Sequence, residues 1–182
     1  MLKSCCFTGH RHLPSDALVN LKIDLEVTLR TLIAKGVSQF YCGGALGFDT
    51  LAAETVLRLK RTYPYIKLNF ILPCKSQTEF WSDADRQKYS FLLSHADDVQ
   101  CLYDDYNKNC MYERNKELIK SADLCVCYLK EAKSGTAFTV ALAAKMHRPV
   151  IPLGLEEAEK EAFATTFLSA QLDLESLEFD LS

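Results

Sequence analysis

Four short stretches carry residue types that could hold an anion or move a proton. Thr8-Gly9-His10-Arg11 combines a glycine turn, an imidazole and a guanidinium. Gly9 lets the backbone pass close to a ligand, Arg11 can fork onto a phosphate or carboxylate, and His10 can donate a hydrogen bond or shuttle a proton. Gly43-Gly44-Ala45-Leu46-Gly47-Phe48-Asp49 has three glycines in five positions. Ahead of a helix, such a run exposes backbone N–H groups where the helix end is partly positive, which makes an anion cradle. Asp49 falls in the first helical turn, where it either caps the helix or binds a ribose hydroxyl; Glu54 lies one turn further on. Lys133-Ser134-Gly135-Thr136 repeats the glycine-and-hydroxyl theme, with a Ser N-cap as the simpler reading. In Met111-Tyr112-Glu113-Arg114-Asn115-Lys116, Arg114 and Asn115 lie near a helix start; their charge pattern alone is that of a solvated face.

These stretches need a scaffold that brings them to one edge. Short apolar runs alternate with helical patterns: strands at Lys3–Thr8, Val37–Cys42, Ile66–Leu72 (closed by Pro73), Asp98–Leu102, Leu124–Leu129 and Val150–Leu153. Helices are expected over Leu13–Lys35, Phe48–Arg61, Glu79–His95, Met111–Ser121, Thr136–His147 and Glu156–Ala170, the third with Phe80, Tyr89, Leu92 and Leu93 on its apolar side. Strict alternation with continuously apolar strands predicts an α/β fold, a Rossmann-like, doubly wound, mostly parallel sheet with helices on both faces. In such sheets ligands bind beyond the carboxyl ends of the strands. All three glycine turns fall at strand ends.

The glycine spacing is neither Gly-x-Gly-x-x-Gly nor a Walker loop, so a standard dinucleotide or triphosphate site is not indicated. Trp81, the single tryptophan, is read as a helix anchor ahead of a base-stacking platform. The eight cysteines include no Cys-x-x-Cys pair and fall mostly in strand runs. They read as small core hydrophobes, and neither a metal site nor a cofactor is evident.

The chain has 182 residues and a net charge of −3. That length fits one compact domain. Residues 155–182 hold eight acids and one base, so the tail carries −7 and the body +4. The expected organisation is a domain over residues 1–153 and an acidic extension over 154–182. A charge of +4 is thin for a nucleic-acid binder, which argues against nucleic acid as a partner. No apolar run is long enough to span a membrane, and no secretory signal is seen in MLKSCCFTGHR. A cytoplasmic location follows, with thiols kept reduced.

Taken together, Thr8–Arg11, Gly43–Asp49, Arg114-Asn115 and Ser134–Thr136 resemble the YpsA-like family of the SLOG superfamily, over roughly residues 1–153. That superfamily includes DNA-processing protein DprA and the LOG phosphoribohydrolases. The resemblance implies a nucleotide or nucleotide-derived ligand at Thr8, Gly9, His10, Arg11, Gly43, Gly44, Ala45, Gly47, Asp49, Arg114, Asn115, Ser134, Gly135 and Thr136. It suggests a sensing or regulatory role in cell division or stress. The enzymatic branch cleaves the N-glycosidic bond of nucleoside monophosphates, with a Met-x-x-Arg-Lys stretch that Met111–Arg114 matches. This leaves Arg114 and Glu54 as catalytic candidates. The branch's catalytic glutamate position is Thr139 here, and Thr cannot replace a carboxylate at an oxocarbenium-like centre. DprA-like binding of single-stranded DNA is a further alternative. Related folds often dimerise, and the small residues of Thr136–His147 would suit close packing in a homodimer.

Overall fold

The computed structural model describes residues 2–131, 133–163 and 165. The part of the expected helix Glu156–Ala170 beyond 165, and the acidic tail to 182, lie outside the described residues. Among the described residues six strands form one sheet: β1 (Ser4–Gly9), β2 (Gln39–Cys42), β3 (Lys67–Cys74), β4 (Asp98–Tyr103), β5 (Leu124–Tyr128) and β6 (Val150–Pro152). Between them run α1 (Leu18–Ala34), α2 (Phe48–Lys60), α3 (Asp83–Ser94), α4 (Cys110–Ser121) and α5 (Gly135–Lys145), and α6 (Glu157–Phe163) follows β6. The order is β4-β3-β2-β1-β5-β6, and every pairing is parallel. The sheet is therefore wholly parallel and Rossmann-like, as the alternation predicts.

Strand periodicity sorts the core into two layers. In β1, Cys5 and Phe7 point one way and Cys6 the other; in β5, Val126 and Tyr128 oppose Cys125 and Cys127. One layer packs Phe7, Phe40 and Phe70 under Leu21, Leu25 and Leu29 of α1 and Ala52 and Val56 of α2. The other packs Cys6, Cys125 and Cys127 under Leu118 and Ile119 of α4 and Val140 of α5. All eight cysteines are free, and seven are buried as the core reading requires; Cys101, on edge strand β4, is exposed.

Most boundaries shift by one or two residues from expectation, and three shifts have a clear local reason. Helix α1 begins at Leu18 because Pro14 disfavours a helical Leu13, and a turn from Ala17 N–H to the Pro14 carbonyl precedes the helix. Strand β3 runs through Pro73 to Cys74. Proline is tolerated there because β2 has already ended opposite Phe70, and Pro73 drops out of the register between Leu72↔Cys101 and Cys74↔Tyr103. Helix α3 begins at Asp83, since the Ser82 hydroxyl caps it by accepting from the Asp85 N–H at 3.1 Å. A short 3₁₀ turn, Lys75–Thr78, fills the gap. Phe80 thus precedes the helix and is 93% exposed, not on an apolar face. The small residues of α5 are spent inside the molecule: Ala137, Ala141 and Ala143 are buried in the monomer core, so they do not form an outward packing face.

Candidate functional site

The β1 turn and the β2–α2 turn are interlocked at the carboxyl edge. The Phe48 N–H donates to the His10 carbonyl at 3.1 Å. Gly47 has φ +74°, and a side chain there would strike the carbonyls of His10 and Arg11. Gly9 is fixed from the same side, because a Cβ would meet the Phe48 ring at 2.6 Å. Gly47 is therefore required by close backbone approach and Gly9 by the packed Phe48 side chain.

Beneath Gly43 lies a buried ionic cluster. The Asp49 carboxylate accepts from the Gly43 N–H at 3.1 Å and the Ala45 N–H at 3.3 Å. Arg114 Nη1 donates to the Gly43 carbonyl, and Arg114 Nε donates to Asn115 Oδ1 at 2.8 Å. Burial pushes the Asp49 carboxyl above its ordinary range, although Arg114, the two N–H groups and Arg11 oppose it. Burial likewise lowers Arg114, although Asp49 opposes it. Two of the N–H groups assigned from sequence to an incoming anion thus bond a carboxylate of the chain itself. Asp49 is neither a simple helix cap nor open to a ribose.

An open cleft of ≈ 960 Å³ lies beside the β1 and β2–α2 turns. It is lined by Arg11, His12 and Lys22, by Leu46, Gly47 and Thr50, and by Ser76, Gln77, Phe80, Trp81, Asp85 and Lys88, with Tyr106 and Met111 also in the lining. Glu54 faces the cleft and pairs with Lys88 at 3.3 Å. Trp81 packs edge-on against Tyr89 with centroids 5.4 Å apart, and its carbonyl accepts from Arg86 Nη1 at 2.6 Å. It anchors the helix start and lines the cleft at once. Gly44, with φ +68°, turns its carbonyl to accept from Gln77 Nε2.

Most of the sequence-predicted residues fall into three groups. Arg11, Gly47 and Glu54 line the cleft. Gly43, Asp49 and Arg114 are buried and outside the cleft lining, with Ala45 buried and Asn115 bonded to Arg114. Ser134, Gly135 and Thr136 sit at the β5 end, outside the cleft lining. There the Ser134 hydroxyl caps α5, accepting from the Ala137 N–H at 3.1 Å and donating to the Glu131 carbonyl at 3.1 Å. Thr8 is buried, Gly9 and Gly44 are held as described, and His10 accepts from backbone N–H groups of the β5 turn. The Thr139 hydroxyl donates to its own helix at the Gly135 carbonyl, and the residue is 1% exposed.

Sequence reasoning missed Gln77, Phe80 and Tyr106 as cleft residues. Extending the strand-end rule past Pro73 and Tyr103 finds Gln77 and Tyr106, because both follow strand ends.

A sequence profile described as the YspA SLOG family matches residues 8–150. The UPF0398 protein of Shouchella clausii is 32% identical over 146 residues, 77% of either chain. DNA processing protein A from Helicobacter pylori, described for its single-stranded-DNA binding mode, superposes with TM-score 0.64 at 18% identity. That match covers 96% of this chain and 77% of the other. DprA from Streptococcus pneumoniae gives TM-score 0.65 at 14% identity, covering 100% of this chain and 63% of that one. At such identities the structural likeness concerns the fold.

Proposed function

This chain belongs to the YspA SLOG family, and from that premise we propose that it binds a nucleotide or nucleotide-derived ligand in the cleft, as a sensing or regulatory protein. The observation that carries this reading is one cleft whose lining holds both Arg11 and Lys22 and the rings of Phe80 and Trp81. A guanidinium suits a phosphate, and aromatic faces suit a base. The glycine turns supply shape, since two of their N–H groups are bound to Asp49. Binding without glycosidic cleavage is favoured because Thr139 is buried and bonded to its own helix. Glu54, the remaining candidate carboxylate, is paired with Lys88. Eight free thiols suit a reducing compartment, and a cytoplasmic role in cell division or stress fits the family. Among the described residues no helix is long and apolar enough to cross a membrane.

Thermal melting with a panel of nucleoside mono-, di- and triphosphates and dinucleotides tests the proposal. A true ligand at a hundred times its Kd adds about 2.7 kcal/mol, roughly 5–10 °C for a chain of this size. Arg11→Ala removes the shift. No shift with any of these compounds would reject the reading.

A second reading, single-stranded nucleic acid, is favoured by the exposure of Phe80 (93%) and Tyr106 (62%) at the cleft, which Arg11, Lys22 and Lys88 also line. The fold it shares with DprA points the same way. The mild overall charge argues against it, but local charge and aromatic faces decide strand binding. Oligothymidylate binding that falls steeply with salt supports this reading; no binding at low salt ends it.

A further inference from the structure

The β1 and β5 turns meet through one side chain. The N–H groups of Lys130 and Glu131 donate to His10 Nε2 at 2.9 and 3.2 Å. A ring nitrogen that accepts two N–H donors carries no hydrogen, so the imidazole is neutral with its proton on Nδ1. The ring stands edge-on to Tyr128, centroids 6.1 Å apart and planes at 83°. It lies across the gap between β1 and β5, where the strand order reverses and an open sheet of this kind ordinarily leaves its ligand crevice.

We propose that His10 is a positioning residue, a latch that holds the β5–α5 turn on the β1 turn only while its ring is neutral, and that protonation releases the turn bearing Ser134, Gly135 and Thr136. Protonation converts Nε2 from acceptor to donor, so both bonds are lost in one step and replaced by opposed N–H groups. The effect reaches Ser134 through Glu131, whose N–H is held by His10 and whose carbonyl accepts from the Ser134 hydroxyl. The charged groups around the ring are few. Arg11 follows it in the chain, and Glu131 faces it and favours the proton. Lys130 is drawn away to Glu159 of α6 at 3.1 Å. Tyr128 meets it in a T-shaped ring contact. Burial outweighs Glu131 and holds the imidazole below its ordinary 6.5, so the latch stays closed at neutral pH and opens only below that ordinary value.

Hydrogen exchange at the Lys130 and Glu131 amides of the full chain, corrected for intrinsic rates, tests this between pH 7.5 and 5. In the wild type, protection falls at least tenfold with a midpoint below 6.5. In His10→Gln, whose Oε1 can accept the same bonds but does not titrate, protection holds across the range. In His10→Ala it is absent throughout. The Phe7 and Val126 amides stay protected in all three, separating latch release from unfolding. An acid loss in His10→Gln matching the wild type would overturn the proposal, as would wild-type protection that survives the His10 titration. Nitrogen-15 shifts of the wild-type ring give an independent check, since an Nε2–H tautomer at neutral pH also refutes it.

Discussion

Arg114 and Asp49 form an ion pair 3.8 Å long beneath the Gly43 turn, with both side chains less than one-tenth exposed. The pair spans α2 and α4 and clamps a single glycine, taking its N–H with the carboxylate and its carbonyl with the guanidinium. Desolvation works against both charges, raising Asp49 and lowering Arg114. The pair is therefore weak as a source of net stability and strong as a device for fixing one backbone conformation.

Breaking half of that pair is costlier than removing it. Arg114→Met leaves an uncompensated buried carboxylate and destabilises by about 3–5 kcal/mol, read from urea unfolding. Arg114→Met with Asp49→Asn costs less than the sum of the single changes, by about 0.5–3 kcal/mol of coupling. The pH dependence has a definite sign. A carboxyl whose folded pKa is raised favours the folded state at acid pH, and that contribution is lost as pH rises through the folded value. Arg114→Met raises Asp49 further, so its deficit shrinks as pH falls from 7 toward the unfolded carboxyl range near ~4.

The two glycine turns respond oppositely to alanine. At Gly43 a Cβ collides with Arg114 Nη1 and stands 2.9 Å from Asp49 Oδ2, so Gly43→Ala disrupts the ion pair and costs about 3 kcal/mol or more. At Gly135, the first residue of α5, a Cβ meets nothing within 4 Å. Gly135→Ala is therefore neutral or stabilising by about 0.4–1 kcal/mol. Melting temperatures of the two variants check the contrast, and equal losses would contradict it.

Asp97 ties three elements together. It pairs with Lys60 of α2 and Lys67 of β3, and accepts from the Leu68 N–H at 2.8 Å just before β4 begins. Burial pushes its carboxyl up, but Lys60, the Leu68 N–H and Lys67 together hold it below its ordinary value. The stability it contributes is complete above the unfolded carboxyl pKa near ~3.9 and is lost as pH falls through the lower folded value. Asp97→Asn should cost about 1–2 kcal/mol at pH 7, and that deficit should vanish at the acid end of a pH series of urea melts.

The strand-and-helix order was legible because each strand is a short apolar run and each helix shows its own period. The partners within the site were not. Nothing in the spacing of Gly43 and Arg114, 71 positions apart, says that one guanidinium will close on that carbonyl. Asp49 could be named as a helix-start acid, but its use as the anion in its own glycine turn depends on Gly44 and Gly47 adopting positive φ. Phe80 misled for a local reason. Its apolar character fits a helix stripe with Tyr89 and Leu92, yet the Ser82 cap starts the helix at Asp83 and leaves it outside.

Phe80 and Trp81 separate a binding role from a packing role. Trp81 packs on Tyr89 and receives Arg86 at its carbonyl, so Trp81→Ala loses stability along with any stacking. Phe80 is 93% exposed, and Phe80→Ala should leave urea stability within about 0.5 kcal/mol of wild type. If a base stacks in this cleft, the same change weakens binding by about 1–3 kcal/mol, roughly 5- to 150-fold. Trp81 is the single tryptophan, so its fluorescence reports ligand entry in the Phe80→Ala protein. A saturating nucleotide titration with unchanged affinity in Phe80→Ala would place the base elsewhere in the cleft. A loss of affinity at unchanged stability places it against this ring.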